Sequence, residues 1–330
     1  MKKILFATSA LVATAGMAAA DVTMGGYGRF GIYYNEGLTK NETRLDQRFR
    51  LTITGVTESD SGVKFEARIR FQTDDGNKVT VDDDGGITTS KAGASNVAQR
   101  SAAGFAVTAE GFRLDVGNVS DVLDSGDVVD YYGYGIGLTY FLEASSGFVL
   151  PASGFGTSSD DSMKDPTVKL RWNYEAFTVS ASYTDDTTQR NTTATLANLG
   201  TSEEYQIGLG WSGDVFNVGA MMGQNENADG SDNDYWAASI GWTGELFSVS
   251  ALVADSDNQA DTSYGISGKF DLGESTEIRA VFNDTGIDGA SEQYGVGFRH
   301  GLGGGVTIAG GVGRNALKDT VADLGVQFNF

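Results

Sequence analysis

Residues 47–72 read QRFRLTITGVTESDSGVKFEARIRFQ, and their alternation decides the fold class. Phe49, Leu51, Ile53 and Val56 nearly alternate with Arg48, Arg50, Thr52 and Thr54. After the polar turn Glu58-Ser59-Asp60-Ser61-Gly62 the pattern resumes, with Val63, Phe65, Ala67, Ile69 and Phe71 set between Lys64, Glu66, Arg68, Arg70 and Gln72. Successive side chains of a strand point to opposite faces. Each half of the segment therefore has one apolar and one charged face, and the two halves read as a hairpin. The alternation alone fits either a sandwich whose polar face meets water or a sheet whose apolar face meets lipid.

The connections between strands decide between these. The same period gives sixteen candidate strands, at about 22–34, 44–56, 63–72, 97–109, 112–118, 167–174, 177–184, 203–212, 215–222, 235–243, 246–254, 263–271, 275–283, 293–300, 305–313 and 319–330. Each is close to the ~9–11 residues that a tilted strand needs to cross a bilayer. Short links such as 57–62, 110–111, 175–176 and 213–214 alternate with long ones such as 73–96, 119–166 and 185–202. An outer-membrane barrel keeps its short turns at one end and its long loops at the other, whereas a sandwich has no reason to. Trp172, Tyr174, Trp211, Trp236, Trp242, Phe247, Phe270, Phe298 and Phe330 lie near strand ends on the apolar parity, where interfacial girdles form. Gly25, Gly208, Gly210 and Gly241 fall on the inward parity, where a water-filled interior asks for little packing. The expected fold is all-β, a sixteen-stranded transmembrane antiparallel barrel.

Residues 1–20 read as a secretory signal: Lys2 and Lys3, an uncharged stretch from Ile4 to Ala20, and a small-residue ending at Ala18-Ala19-Ala20. The expected mature domain is 21–330. Beyond residue 20 no run of even ten residues is apolar, so membrane residence requires a closed sheet.

Composition excludes several kinds of chemistry. The absence of cysteine removes disulfide scaffolds, thiol catalysis and cysteine metal sites. A single histidine, His300, argues against Ser-His-Asp catalysis and against a multi-histidine metal site. The formal net charge of −21 argues against a nucleic-acid partner, which needs a basic face. The chain is therefore not expected to be an enzyme. His300, beside Arg299 at the short-turn end, reads as an interfacial or subunit-contact residue.

Four stretches carry a family likeness: Met24-Gly25-Gly26-Tyr27-Gly28-Arg29-Phe30-Gly31, the hairpin Arg48 to Asp75, Asp115-Val116-Gly117-Asn118-Val119, and the run Val321 to Phe330. On these the sequence resembles the general porins of Gram-negative bacteria, in particular those of purple non-sulfur alphaproteobacteria. The resemblance implies an outer-membrane, usually trimeric, water-filled channel for passive diffusion of ions and small hydrophilic solutes. It also implies a third outer loop folded into the lumen, outer-membrane lipid and lipopolysaccharide as surroundings, and recognition of Phe330 by the barrel-assembly machinery.

Charge placement suggests where such a channel narrows. Arg29, Arg48, Arg50, Arg68, Arg70 and Arg100 all have inward parity by strand counting. At ~3.3 Å per residue and a tilt of ~40° the first five stand roughly 13–20 Å above the short-turn end. They form a basic patch on one wall. The longest connection, 119–166, carries Asp121, Asp124, Asp127 and Asp130, and folding it inward sets carboxylates against the arginines across an aqueous slot. No cofactor is expected. Asp82-Asp83-Asp84-Gly85-Gly86 lacks the ligand spacing of an EF-hand, and weak Ca²⁺ binding by acidic loops is the only metal reading left. Rival readings are a substrate-specific outer-membrane channel, for which Tyr27, Tyr33 and Tyr235 are too few to make an aromatic track, a secreted acidic calcium-binding β-protein, and an outer-membrane hydrolase.

Overall fold

A computed structural model describes residues 21–38, 42–74, 77–81, 87–91, 99–137, 166–184, 203–226 and 231–330. The expected signal at 1–20 and the Asp82–Asp84 tract lie outside the described residues. The strands are β1 (Asp21–Asn35), β2 (Thr43–Glu58), β3 (Lys64–Asp74), β4 (Asn77–Val81), β5 (Ile87–Lys91), β6 (Gln99–Arg100), β7 (Gly104–Ala109), β8 (Phe112–Gly117), β9 (Thr167–Tyr174) and β10 (Phe177–Thr184). They continue as β11 (Glu204–Ser212), β12 (Phe216–Glu226), β13 (Asp232–Thr243), β14 (Phe247–Ser256), β15 (Ser263–Asp271), β16 (Thr276–Asp284), β17 (Gln293–Gly303), β18 (Val306–Arg314) and β19 (Thr320–Asn329).

The hairpin of residues 47–72 forms as the alternation requires, with Leu51 opposite Phe71 and Ile53 opposite Ile69 on one face and Thr52 opposite Arg70 on the other. Every further pairing in the wall is antiparallel, and β1 pairs with both β2 and β19, which closes the sheet. Since β6 and β7 are two pieces of one stave, the barrel has sixteen staves. Closure satisfies the edge hydrogen bonds that lipid cannot. The seam runs from Asn35 opposite Val321 to Tyr27 opposite Asn329. It is extended by Gly26 N donating to Phe330 O at 3.0 Å and Phe330 N donating to Gly26 O at 3.1 Å.

Burial is inverted, as expected of a wall between lipid and a filled lumen. Met222 faces outward and is 64 % exposed, while its neighbour Met221 faces inward and is 4 % exposed. At the turn between β7 and β8, Glu110 (φ 46°) and Gly111 (φ 86°) are both left-handed, the backbone that a two-residue hairpin demands.

Two local features add to the sequence reading. Within the long connection 73–96, β4 and β5 pair as a separate two-stranded hairpin. The stave expected at 97–109 is broken at Ser101–Ala103. There Ser101 N donates to Arg70 O at 2.7 Å and Arg70 N donates to Ser101 Oγ at 3.0 Å. The pairing slips by one residue across the break, since Arg68 faces Gly104 but Phe71 faces Arg100. A one-residue slip exchanges the faces of a strand.

Candidate functional site

The connection after β8 enters the barrel. It opens with one helical turn, α1 (Val122–Ser125), capped by Asp121, whose carboxylate accepts from Asp124 N at 2.7 Å, and ended by Gly126 in the left-handed region at φ 67°. The chain then crosses the inner wall strand by strand. Val122 N donates to Ser182 Oγ of β10 (3.2 Å), Leu123 N to Gln206 Oε1 of β11 (2.9 Å), Asp130 N to Ser239 Oγ of β13 (2.9 Å) and Tyr134 N to Ser267 Oγ of β15 (2.8 Å). Arg279 of β16 donates to Gly135 O at 3.0 Å, and Arg299 of β17 donates to Gly137 O at 3.2 Å. The inward polar side chains, spaced by the sheet, thus satisfy the backbone of an irregular segment that would otherwise carry buried orphan groups.

Apolar contacts reinforce these bonds. Val122, Leu123, Val128 and Val129 form a buried cluster with Met221, Tyr235, Ala237, Leu252 and Ala254 from the inner face of β12–β14. Farther along, Ile136 is buried against Val321, with Tyr33 and Val281 packed beside it. Gly208 and Gly210, read from the sequence as facing water, lie instead beneath Val128.

The four expected acids all belong to this inner segment. Asp121 is the helix cap, and Asp124 accepts from the Tyr132 hydroxyl at 2.6 Å. Asp127 binds two cations of β9, Lys169 Nζ at 2.7 Å and Arg171 Nη1 at 2.5 Å. Asp130 accepts from Ser250 Oγ at 2.6 Å. Burial alone would raise the Asp127 carboxyl, but the hydrogen bonds and charges of Lys169 and Arg171 outweigh it and hold the group below the ordinary carboxylate value. Burial pushes the Tyr131 phenol up, helped by Asp124 and Asp121, so it stays neutral.

The expected basic residues stand on β1–β3, an arc that the segment meets at Ile136, beside Tyr33 of β1. Arg29 lies opposite Arg48, Arg50 lies opposite both Tyr27 and Gln72, Arg70 lies opposite Thr52 and Arg68 opposite Thr54. Arg29 is 3.6 Å from Asp46, Arg48 donates to the Tyr27 hydroxyl at 3.4 Å, and Arg50 Nε donates to Gln72 Oε1 at 2.6 Å. The Arg50 guanidinium also lies over the Tyr27 ring, 5.2 Å from its centroid. Arg100 does not share these rows. The slip at Ser101–Ala103 pairs it with Phe71, and its side chain lies outside the described residues.

Sequence reasoning missed the charges that hold the inner segment: Lys169, Arg171, Arg279 and Arg299. Their signal was present in stretches such as Thr167-Val168-Lys169-Leu170-Arg171-Trp172, where cations occupy the inward parity. A second network, Glu66–Arg113–Asp115, links β3 to β8, with Arg113 at 3.2 Å from Glu66 and 2.9 Å from Asp115. No metal-holding group of three or more His, Cys, Asp or Glu occurs among the described residues.

A closed barrel, a segment laid across its inside and a set of inward arginines on β1–β3 are the parts of an aqueous pore. The family model described as Gram-negative porin matches residues 7–320. The chain belongs to the Gram-negative porin family. The porin of Fuscovulum blasticum is 28% identical over 317 residues, covering 94% of this chain and 100% of that relative. Solved structures of two mutant forms of the Rhodopseudomonas blastica porin superpose with TM-scores of 0.70 and 0.71 at 26% and 25% identity, each covering 94% of this porin and 100% of the other chain. This porin is accordingly an outer-membrane channel for the passive diffusion of small solutes.

Proposed function

We propose that solutes pass through the slot between residues 122–137 and the arginines of β1–β3, and that the field across this slot sets the porin's ion preference. The carrying observation is that the inner segment is bonded to β10, β11, β13 and β15–β17, while the inward arginine rows stand on β1–β3. A slot lined by opposite charges admits solutes by size and dipole and performs no bond chemistry. Neutralising Arg48, Arg50 and Arg68 together shifts the preference toward cations. Neutralising Asp121, Asp124 and Asp127 together shifts it toward anions. Both shifts shrink at high salt, because the Debye length falls from about 10 Å at 0.1 M to about 3 Å at 1 M. Reversal potentials in planar bilayers under a salt gradient measure this, and two unmoved triple variants would refute the slot.

The same porin works, in this reading, as a homotrimer joined along β18, β19 and β1–β3. Outward Trp and Tyr mark the arc from β9 to β17, with Trp172, Tyr205, Trp236, Tyr264 and Tyr294 all exposed. Across the β18–β3 arc the exposed large apolar residues of the strands and of the chain's end are Val22, Met24, Phe30, Ile32, Leu45, Phe49, Phe65, Val312, Leu324, Phe328 and Phe330. Headgroup-seeking aromatics belong where lipid meets the wall, so a face whose one outward Tyr, Tyr34, is half-buried and whose exposed residues include no Trp or Tyr fits cover by another copy. Native mass in mild detergent tests this, and a clean monomer rules it out. Phe330, outward and 53 % exposed beside Leu324, Val326 and Phe328, fits an assembly-recognition role.

A further inference from the structure

The inner segment rests on glycines of the wall at two places. At the first, Val128 lies over Gly208 and Gly210 of β11 and Gly219 of β12. A Cβ on Gly219 would collide with the Val128 carbonyl, one on Gly208 would come within 2.6 Å of Val128 Cγ2, and one on Gly210 would lie 3.2 Å from Val128 Cα. At the second, Ile136 lies over Gly295 and Gly297 of β17 and Gly311 of β18. A Cβ on Gly295 would collide with Ile136 Cδ1, and one on Gly297 would come within 3.0 Å of Ile136 Cβ. Val128 and Ile136 are themselves 7 % and 0 % exposed, so both side chains fill their seats. Not every inward glycine is crowded by the segment: a Cβ on Gly25 would meet nothing nearer than Phe330 O at 3.6 Å.

We infer that these two glycine notches, one on β11–β12 and one on β17–β18, fix how far the inner segment stands from its own wall and hence set the width of the conducting slot. The inference rests on the slot reading above. Residues 128 and 136 are two pegs, and the eight-residue step between them carries Asp130, Tyr131 and Tyr132 across β13–β16. A methyl group added under either peg has nowhere to go, because cores do not absorb such volume without shifting a neighbour. On the lumen side water yields, so the segment moves inward and narrows the slot. The glycines thus act as positioning residues for selectivity, although no solute touches them.

Single-channel conductance at 1 M salt tests this, because screening then leaves geometry as the main variable. Gly219→Ala and Gly295→Ala should each lower conductance by roughly 10–30 per cent, while Gly25→Ala leaves it unchanged. Ile136→Val removes the Cδ1 that meets the new methyl, so the double variant with Gly295→Ala should recover. Unchanged conductance in both glycine variants, or a fall that Ile136→Val does not relieve, overturns the notches. Should a glycine variant fail to assemble, Val128→Ala and Ile136→Val alone carry the test through raised open-channel noise, and wild-type noise in both overturns the proposal. If the charge variants move the reversal potential while the glycine variants do nothing, the slot stands and the notches fall.

Discussion

Asp127 anchors the inner segment through charge. Its carboxylate sits between Lys169 and Arg171, with side chains 10 %, 7 % and 31 % exposed. Because its folded value lies below the ordinary 3.8, this contact contributes stability fully above that value and loses it as pH falls through the folded one. Docking of the segment on β9 should therefore be constant from neutral pH down to about 4 and weaken only below that. Current noise recorded from pH 7 to pH 3 checks this. Asp127→Asn should loosen the contact by about 2 kcal/mol and make the noise independent of pH over that range. Lys169 and Arg171 were legible as inward residues from their alternation with Val168, Leu170 and Trp172. Their partner was not, because an ion pair across 42 residues depends on a path that no local pattern encodes.

Strands were legible because lipid enforces period two on every stave: an outward polar side chain is costly and an outward apolar one is not. That rule does not reach the break at Ser101–Ala103, where a serine hydroxyl bonds the neighbouring strand and the pairing shifts to set Arg100 opposite Phe71. Nor does it reach α1, whose four residues are too few to show a helical period. The inward glycines were visible, but their purpose was not, since nothing in Gly208 or Gly210 announces that Val128 will lie on top. At this scale the cap decides whether the turn forms. Asp121→Ala removes the acceptor for Asp124 N and should cost about 1–2 kcal/mol of local stability. Faster proteolysis near residues 122–126 in an otherwise intact barrel would report it, and unchanged cleavage would count against the cap.

The whole barrel depends on its seam. Phe330 stacks on Phe49 with ring centroids 5.5 Å apart, and the Phe328 ring covers Gly28 so closely that any Cβ there would strike it. Phe330→Ala should remove about 1 kcal/mol of ring contact and lower the temperature at which the barrel opens in detergent, read by its loss of compact electrophoretic mobility. The same substitution on Phe216 of β12, on the side of the barrel away from the seam, should do less. One consequence concerns time. β1 and β19 are partners, yet they are the most widely separated strands in sequence. Until β19 arrives, β1 and whichever strand was added last each present a bare row of amide and carbonyl groups, a template for pairing with any other chain. Contacts of such long range form slowly. The unfinished barrel is therefore sticky for the whole interval before its last strand arrives, and its yield in a cell is set by a race between escort and aggregation, with stability of the closed form entering only after the race is over.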